Sequence, residues 1–88
     1  MIVRILGKRW EIIFVPQHEL AKDEDGLCDA PDTPAKALRI LDALEGEALL
    51  ETVIHEFTHA ADWSKDDAWV HPFGRDLARV LWRLGYRR

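Results

Sequence analysis

The segment from His55 to His59 constrains this chain more than any other, because it reads His-Glu-Phe-Thr-His. Residues four apart lie on one face of a helix, so His55 and His59 can present two imidazoles to a single metal ion. Glu56 lies about 100° around the same helix, where a carboxylate can accept a proton from a water molecule on that metal. The pattern predicts a helix that carries two metal ligands and a general base. The alternative is a solvated helix with two incidental histidines.

The residues around this motif predict an amphipathic helix. It begins at Glu45 or Gly46 and reaches about Asp62, with apolar residues recurring at helical spacing. The two histidines border this apolar stripe, where a cleft can form. We expect the stripe to face the core through Leu50, Val53, Ile54, Phe57 and Ala61.

Length and composition indicate the size of the fold and its compartment. The 88 residues, 48% hydrophobic with four tryptophans, are enough for a single small domain spanning residues 1–88. One cysteine excludes an internal disulfide and suits a reducing compartment. No apolar run is long enough to span a membrane, and the N-terminus lacks the features of a secretory signal. We therefore expect a cytoplasmic protein without a membrane partner.

Charge is unevenly distributed along the chain. The formal net charge of −4 argues against a protein dominated by nucleic-acid binding. Arg75, Arg79 and Arg83 nevertheless recur every four residues and form a basic stripe on a predicted helix. A solvated helix face, favoured by the helix dipole near its C-terminus, is the simpler interpretation. A contact with nucleic acid or an acidic partner is the alternative.

The N-terminal residues predict a β-hairpin. The β-rich runs Ile2–Leu6 and Arg9–Val15 enclose Gly7-Lys8, which fits a two-residue turn with glycine first. This register places Arg4 opposite Glu11, a favourable cross-strand charge pair. It also directs one set of apolar side chains to the core, namely Val3, Ile5, Trp10, Ile12 and Phe14.

The rest of the chain predicts a long loop, one strand and two helices. The polar segment 17–34 is the loop, and a connection of this length in a small domain is usually functional or mobile. Lys36–Leu41 predicts a third strand. The second helix runs from about Asp66 to Leu84, and Pro72 either kinks its first turns or marks its regular start. We expect its buried stripe to consist of Leu77, Val80, Leu81 and Leu84.

This order of elements predicts a small α+β fold, with a three-stranded sheet of hairpin plus edge strand packed on two helices. A catalytic zinc ion generally keeps three protein ligands and one exchangeable water, so a third ligand should follow His59. Asp67 and His71 lie four apart on the second helix and can share a face. One would bind zinc while the other orients a ligand imidazole, and the residues leave both assignments open. Asp62 and Asp66 are weaker candidates.

With these residues in view, the chain resembles a minimal zincin metallopeptidase of the small bacterial and phage-encoded type. The resemblance covers about residues 36–84. Over this range the chain is similar in pattern to the SprT-like and ImmA/IrrE-type peptidase families. The ImmA/IrrE type has an acidic ligand before an aromatic residue, as Asp67 precedes Phe73. The SprT type has a histidine ligand before a proline and an aromatic, as in His71-Pro72-Phe73. The resemblance implies that Lys36–Leu41 is an edge strand that pairs with an extended peptide.

The favoured function is a zinc-dependent metallopeptidase acting on a peptide or protein substrate. His55 and His59 bind Zn²⁺ together with His71 or Asp67, and Glu56 acts as the general base.

The alternative function is a non-catalytic binding module, stapled by zinc, that engages a protein or nucleic-acid partner. A structural zinc site is closed by four protein ligands, whereas a catalytic one keeps an open position. Cys28 in the donor set would favour this alternative.

Overall fold

The computed structural model describes residues 1–87, which form a four-stranded mixed sheet packed with two helices. This confirms the α+β class, with one strand more than predicted. In chain order the elements are β1 (Ile2–Ile5), β2 (Lys8–Val15), a 3₁₀ turn (Gln17–Glu19), β3 (Gly26–Cys28), β4 (Ala37–Leu41), α1 (Gly46–Ala61) and α2 (Asp67–Arg83). The strand order is β1-β2-β4-β3; β2 is parallel to β4, and the other two pairs are antiparallel. α1 packs on the sheet and α2 packs on α1. Within residues 1–87, neither helix has the length and apolar character needed to cross a bilayer.

The hairpin turn lies one residue earlier than predicted. Leu6 and Gly7 both have positive φ, 50° and 79°, as a type I′ turn requires. The register therefore shifts by two residues, so the predicted Arg4–Glu11 pair is wrong and Arg4 lies opposite Arg9. A shift of two leaves every side chain on its predicted face. Three members of that face are buried as expected, namely Ile5, Trp10 and Ile12.

β4 lies inside the sheet rather than at its edge. Four of its five residues are buried, as is typical of a central strand covered on both faces. The edge position belongs to β3, which arises from the segment predicted as a loop. Asp29 secures it, because its carboxylate accepts hydrogen bonds from the Ala37 N–H (2.9 Å) and the Arg39 guanidinium (2.6 Å). The edge role predicted for Lys36–Leu41 is therefore wrong.

The core lies between the sheet and α1, around Trp10, Leu38 and Ile40. Phe14 belongs to the predicted core face but is 40% exposed, at the border of an apolar cleft that Trp82 also lines. The core is therefore built mainly by β2 and β4, the two strands at the centre of the sheet.

The buried row of α1 differs from the predicted stripe. Leu49, Thr52 and Glu56 are its buried residues, while Phe57 is 40% exposed. α1 is packed on two sides, by the sheet and by α2. Val53 and Ala61 of the predicted stripe do pack against the core, although they are only partly buried. The fully buried row includes the Glu56 carboxylate, which the apolar pattern left out.

α2 packs on α1 through small residues. Val70, Gly74 and Ala78 are its buried residues. A Cβ at Gly74 would lie 3.6 Å from both the Glu51 carbonyl oxygen and the His55 backbone nitrogen. Close approach of two helices selects small side chains, so the most hydrophobic residues do not mark the contact. Three residues of the predicted stripe are instead exposed, namely Leu77 (36%), Val80 (53%) and Leu84 (68%).

α2 begins at Asp67, so Pro72 lies inside the helix and not at its start. Asp66 caps the helix, because its Oδ1 accepts a hydrogen bond from the Trp69 N–H (3.1 Å). Pro72 has no N–H to donate to the Ala68 carbonyl, so the first turns depend on this cap more than an uninterrupted helix would.

Replacement of Gly74 tests the helix contact. A Cβ there would meet its neighbours at 3.6–3.7 Å, ordinary van der Waals contact, and alanine favours a helix over glycine by about 1 kcal/mol. We expect Gly74→Ala to raise the free energy of unfolding by up to about 1 kcal/mol in urea titrations. Gly74→Leu should lower it, because the longer side chain must push the helices apart. A destabilised Gly74→Ala variant would contradict this packing.

Candidate metal centre

Three donor atoms from the two helices converge at one end of the helix pair. His55 and His59, one turn apart on α1, have their Nε2 atoms 3.2 Å from each other. Asp67, in the first turn of α2, places Oδ1 2.8 Å from His59 Nε2 and 3.3 Å from His55 Nε2. We call these three atoms the donor triangle.

The donor triangle has the dimensions of a zinc site. Ligand atoms about 2.0–2.1 Å from a tetrahedral zinc ion lie about 3.3 Å from one another. The three observed separations are 3.2, 2.8 and 3.3 Å. If both Nε2 atoms carried a hydrogen directed at Asp67, the carboxylate would accept two hydrogen bonds. The two nitrogens, 3.2 Å apart, would then face each other with no hydrogen between them. A divalent cation between the three atoms would satisfy all three donors at once.

The ionisation of these residues suits metal binding. Burial is the main cause that lowers the pKa of His55; the nearby His59 lowers it further, and Asp67 opposes the shift. A hydrogen bond with His59 is the main cause that lowers the pKa of Asp67. The neutral imidazole and the ionised carboxylate are the forms that bind a metal. The Asp67 side chain is 82% exposed, so its contact with His59 by itself adds little to stability.

The other acidic candidates have local structural contacts. Asp62 Oδ1 accepts hydrogen bonds from the Ser64 N–H (3.1 Å) and the Ser64 hydroxyl (2.6 Å), which order the break between the helices. Asp66 is the N-cap of α2. Both residues therefore help to place Asp67, and neither belongs to the donor triangle.

His71 stands beside the donor triangle but outside it. Its ring centroid lies 6.3 Å from that of His55, and its side chain lines the same cleft. Of the two third ligands that the sequence leaves open, the structure brings Asp67 to the histidines and keeps His71 one turn further along α2.

Glu56 lies buried against β3. It is only 7% exposed, and a Cβ at Gly26 would lie 2.9 Å from both its Oε2 and the Thr52 Cγ2, so this close approach favours glycine. Burial is the main cause that raises the pKa of Glu56 to about 7, and the charges of Asp67 and Glu24 add to it. Within residues 1–87, no hydrogen bond reaches the Glu56 carboxylate. The general base predicted from the sequence is thus an unpartnered carboxylate next to the donor triangle.

The donor triangle and Glu56 open into one cleft of about 510 Å³ between β3 and the helices. The rim of this cleft is acidic, with the carboxylates of Asp23, Glu24, Asp25 and Glu51. The motif did not point to Asp23, Glu24 and Asp25, because they belong to a polar segment without periodicity. Glu51 lies four residues before His55, on the same face of α1 as both histidines, so helical spacing could have found it. For the acidic loop residues, the only signal in the sequence is Gly26 directly after them, and a glycine at such a position is equally typical of a turn.

The free edge of β3 forms one wall of the cleft. The Leu41 N–H donates a hydrogen bond to the Asp25 carbonyl at 2.8 Å. This bond and the register with β4 determine which backbone groups of β3 face β4. Backbone polar groups alternate in direction along a strand. The N–H and C=O groups of Gly26 and Cys28 therefore point away from β4, toward the open edge.

Cys28 is not a member of the donor triangle. Its thiol is buried and donates a hydrogen bond to the Asp29 carbonyl (3.3 Å). Burial is the main cause that raises the pKa of Cys28 to about 12, so the thiolate that a metal requires is disfavoured.

Comparison of the chain with protein-family models, with curated proteins and with solved structures finds no match. The geometry of the cleft therefore has to support any function on its own.

The buried Glu56 predicts a pH-dependent stability in metal-free protein. Its raised pKa means that the folded protein holds this proton more tightly than the unfolded chain does. The stabilisation is complete below about pH 4.5 and is lost as the pH rises through about 7. We expect Glu56→Gln to be more stable than the parent by about 1–3 kcal/mol at pH 8.5 in excess chelator, and no more stable at pH 4.

Urea titrations at the two pH values measure this difference. Glu51→Gln, which removes a less buried carboxylate from the same helix and cleft, is the matched control. An equal gain at both pH values, or a gain of the same size in the control, would contradict the burial of an ionisable Glu56.

Proposed function

We propose that this protein is a zinc-dependent peptidase of the minimal zincin type, with His55, His59 and Asp67 as metal ligands and Glu56 as general base. One observation carries the proposal: three donor atoms lie within 3.3 Å of one another, beside a buried carboxylate that no hydrogen bond occupies. Both features face the same cleft. A largely buried carboxylate with a raised pKa, in a cleft that also holds two histidines, is typical of a functional site.

The chemistry follows from the donor set. Zn²⁺ held by the donor triangle would polarise a carbonyl group and lower the pKa of a bound water molecule. Glu56 takes a proton from the attacking water as the water oxygen bonds to the acyl carbon. Glu56 then delivers the proton to the amine nitrogen as the C–N bond breaks. A carboxylate without a competing hydrogen bond is free to make both contacts in turn.

The edge of β3 supports a peptide as the substrate. An extended chain can add to a free strand edge through backbone hydrogen bonds, and the outward groups of Gly26 and Cys28 are available for this. Because Gly26 lies against Glu56, a peptide paired there would bring one of its bonds next to the general base. The acidic rim of the cleft favours peptides with lysine or arginine near the cleaved bond.

The alternative, a zinc-stapled binding module, requires a fourth protein ligand. His71 is a candidate for that ligand, since it lines the same cleft and its ring lies 6.3 Å from that of His55. The two functions therefore make opposite predictions for His71.

Metal titration of single variants separates these two functions. Loss of an outer-shell partner typically weakens metal binding about 10–100-fold, and loss of a direct ligand weakens it more. We expect the parent to bind one Zn²⁺ and Asp67→Ala to exceed that range, while His71→Ala stays within or below it. Competition with a chromophoric chelator gives the affinities. Equal losses in the two variants would indicate a closed, structural site.

Cleavage of a mixed peptide library tests the catalytic role. We expect zinc-loaded protein to cleave peptides, with lysine or arginine enriched near the cut, and Glu56→Gln to lose at least about 100-fold in rate, since general acid–base catalysis contributes roughly 10²–10⁴-fold. The Glu56→Gln variant should still bind zinc. Glu47→Gln, on the same helix but outside the cleft, is the control and should keep most of the rate. Undiminished cleavage by Glu56→Gln, or none by the parent with zinc bound, would refute the proposal.

A further inference from the structure

α2 carries an apolar face that nothing in the described chain covers. Phe73, Leu77, Val80 and Leu84 are 42%, 36%, 53% and 68% exposed; we call them the α2 stripe. At its N-terminal end the Trp69 ring stacks on Phe73, with centroids 4.9 Å apart. Scattered apolar residues are normal on a protein surface, but a continuous row along a helix marks an interaction site.

The spacing of the α2 stripe is that of a helix-pairing seam. Its residues follow one another at intervals of four, three and four, the pattern of alternating a and d positions in a coiled coil. Val70, Gly74 and Ala78, which pack on α1, lie on a different face of the helix. α2 therefore presents two contact faces, of which the fold uses one.

We propose that the α2 stripe packs antiparallel against the same stripe of a second copy of this chain, forming a two-fold symmetric dimer. In such a pair, Leu77 of one copy lies beside Val80 of the other, and Phe73 lies beside Leu84. Each contact occurs twice, as an isologous interface requires.

Charge complementarity favours a second copy as the occupant. Asp76 and Arg83 both flank the same side of the α2 stripe, at equivalent positions of successive heptads. When two such helices run antiparallel, the same flanks meet, so Asp76 of each copy lies beside Arg83 of the other. Asp76 has only a 3.5 Å contact with the Nε of its neighbour Arg75 and is otherwise exposed to solvent. The helix is thus complementary to itself in both its apolar and its charged residues.

The proposed interface is independent of the metal centre. Asp67 and His71 lie on the side of α2 that turns toward α1 and the cleft, and no residue of the α2 stripe lines that cleft. Dimer formation would therefore leave the cleft open, and the test below needs no catalytic activity.

A charge-exchange experiment on the full chain tests the proposal. Sedimentation velocity across a concentration series measures the dimer dissociation constant for the parent, Asp76→Arg and Arg83→Asp. Each single change places like charges together twice, so we expect the dissociation constant to rise at least about tenfold.

An equimolar mixture of the two charge variants should restore the dimer. In the mixed pair, one copy carries arginine at both of these positions and the other copy carries aspartate at both. Opposite charges therefore meet in each of the two symmetry-related contacts, although neither variant pairs well with itself.

Two further variants complete the design. Leu77→Glu places a charge at the centre of the seam and should give a monomer at all concentrations tested. Lys8→Glu makes a charge change of the same kind in the β-hairpin, away from α2, and should leave the dimer intact. Circular dichroism melting establishes that each variant is folded, since all four substituted side chains are exposed.

Specific outcomes overturn the proposal. A monomeric parent at the highest concentration reached would leave the α2 stripe to a different partner. A dimer that survives Leu77→Glu would place the interface elsewhere. A mixture of the two charge variants that remains monomeric would exclude the antiparallel arrangement.

Discussion

The contact between the two helices at Gly74 determines how close Asp67, the third donor of the candidate metal centre, lies to the two histidines. Because glycine and alanine face α1, α2 comes within van der Waals distance of the His55 backbone. Asp67, two turns before Gly74 on α2, therefore lies beside the two imidazoles of α1. A bulky residue at this contact would separate the helices and open the donor triangle. Any affinity for metal would therefore depend on the packing of the helix pair as well as on the ligands themselves.

The position of Glu56 shows a conflict between stability and chemistry. The fold buries a carboxylate against the edge of the sheet and leaves it without a hydrogen bond from the described residues, an arrangement that disfavours its charged form. Gly26 leaves the space that the Glu56 carboxylate occupies, since a side chain at position 26 would clash with both Glu56 and Thr52. A packing solution that served stability alone would place an apolar residue at position 56. Under the proposed function, this local cost is what keeps the carboxylate available as a general base.

Sequence periodicity gave correct predictions where the geometry of a single helix or strand determines which side chains share a face. Spacing along a single helix places His55 and His59 together, and the two-residue period of a strand kept the hairpin faces correct although the turn moved by one residue. The predictions failed where contacts between segments that are distant in the sequence determine the structure. β3 has only three residues, too few for a pattern, and it exists because Asp29 and Arg39 bind it to β4. The third ligand depends on how closely two helices approach, which small residues control and hydrophobicity does not reveal.

The wrong orientation predicted for α2 follows from the same cause. The rule that apolar stripes face the core assumes that a helix has one buried face, yet α2 contacts α1 through its small residues and leaves its larger ones outside. α2 is thus attached to the rest of the fold mainly through one helix. A chain this short buries a modest core, so further attachments of α2 contribute a large share of its stability. A metal ion at its N-terminal turn and a second copy along its exposed face, as proposed, would both bind the folded state and not the unfolded chain, and each would therefore stabilise the helix that completes the site.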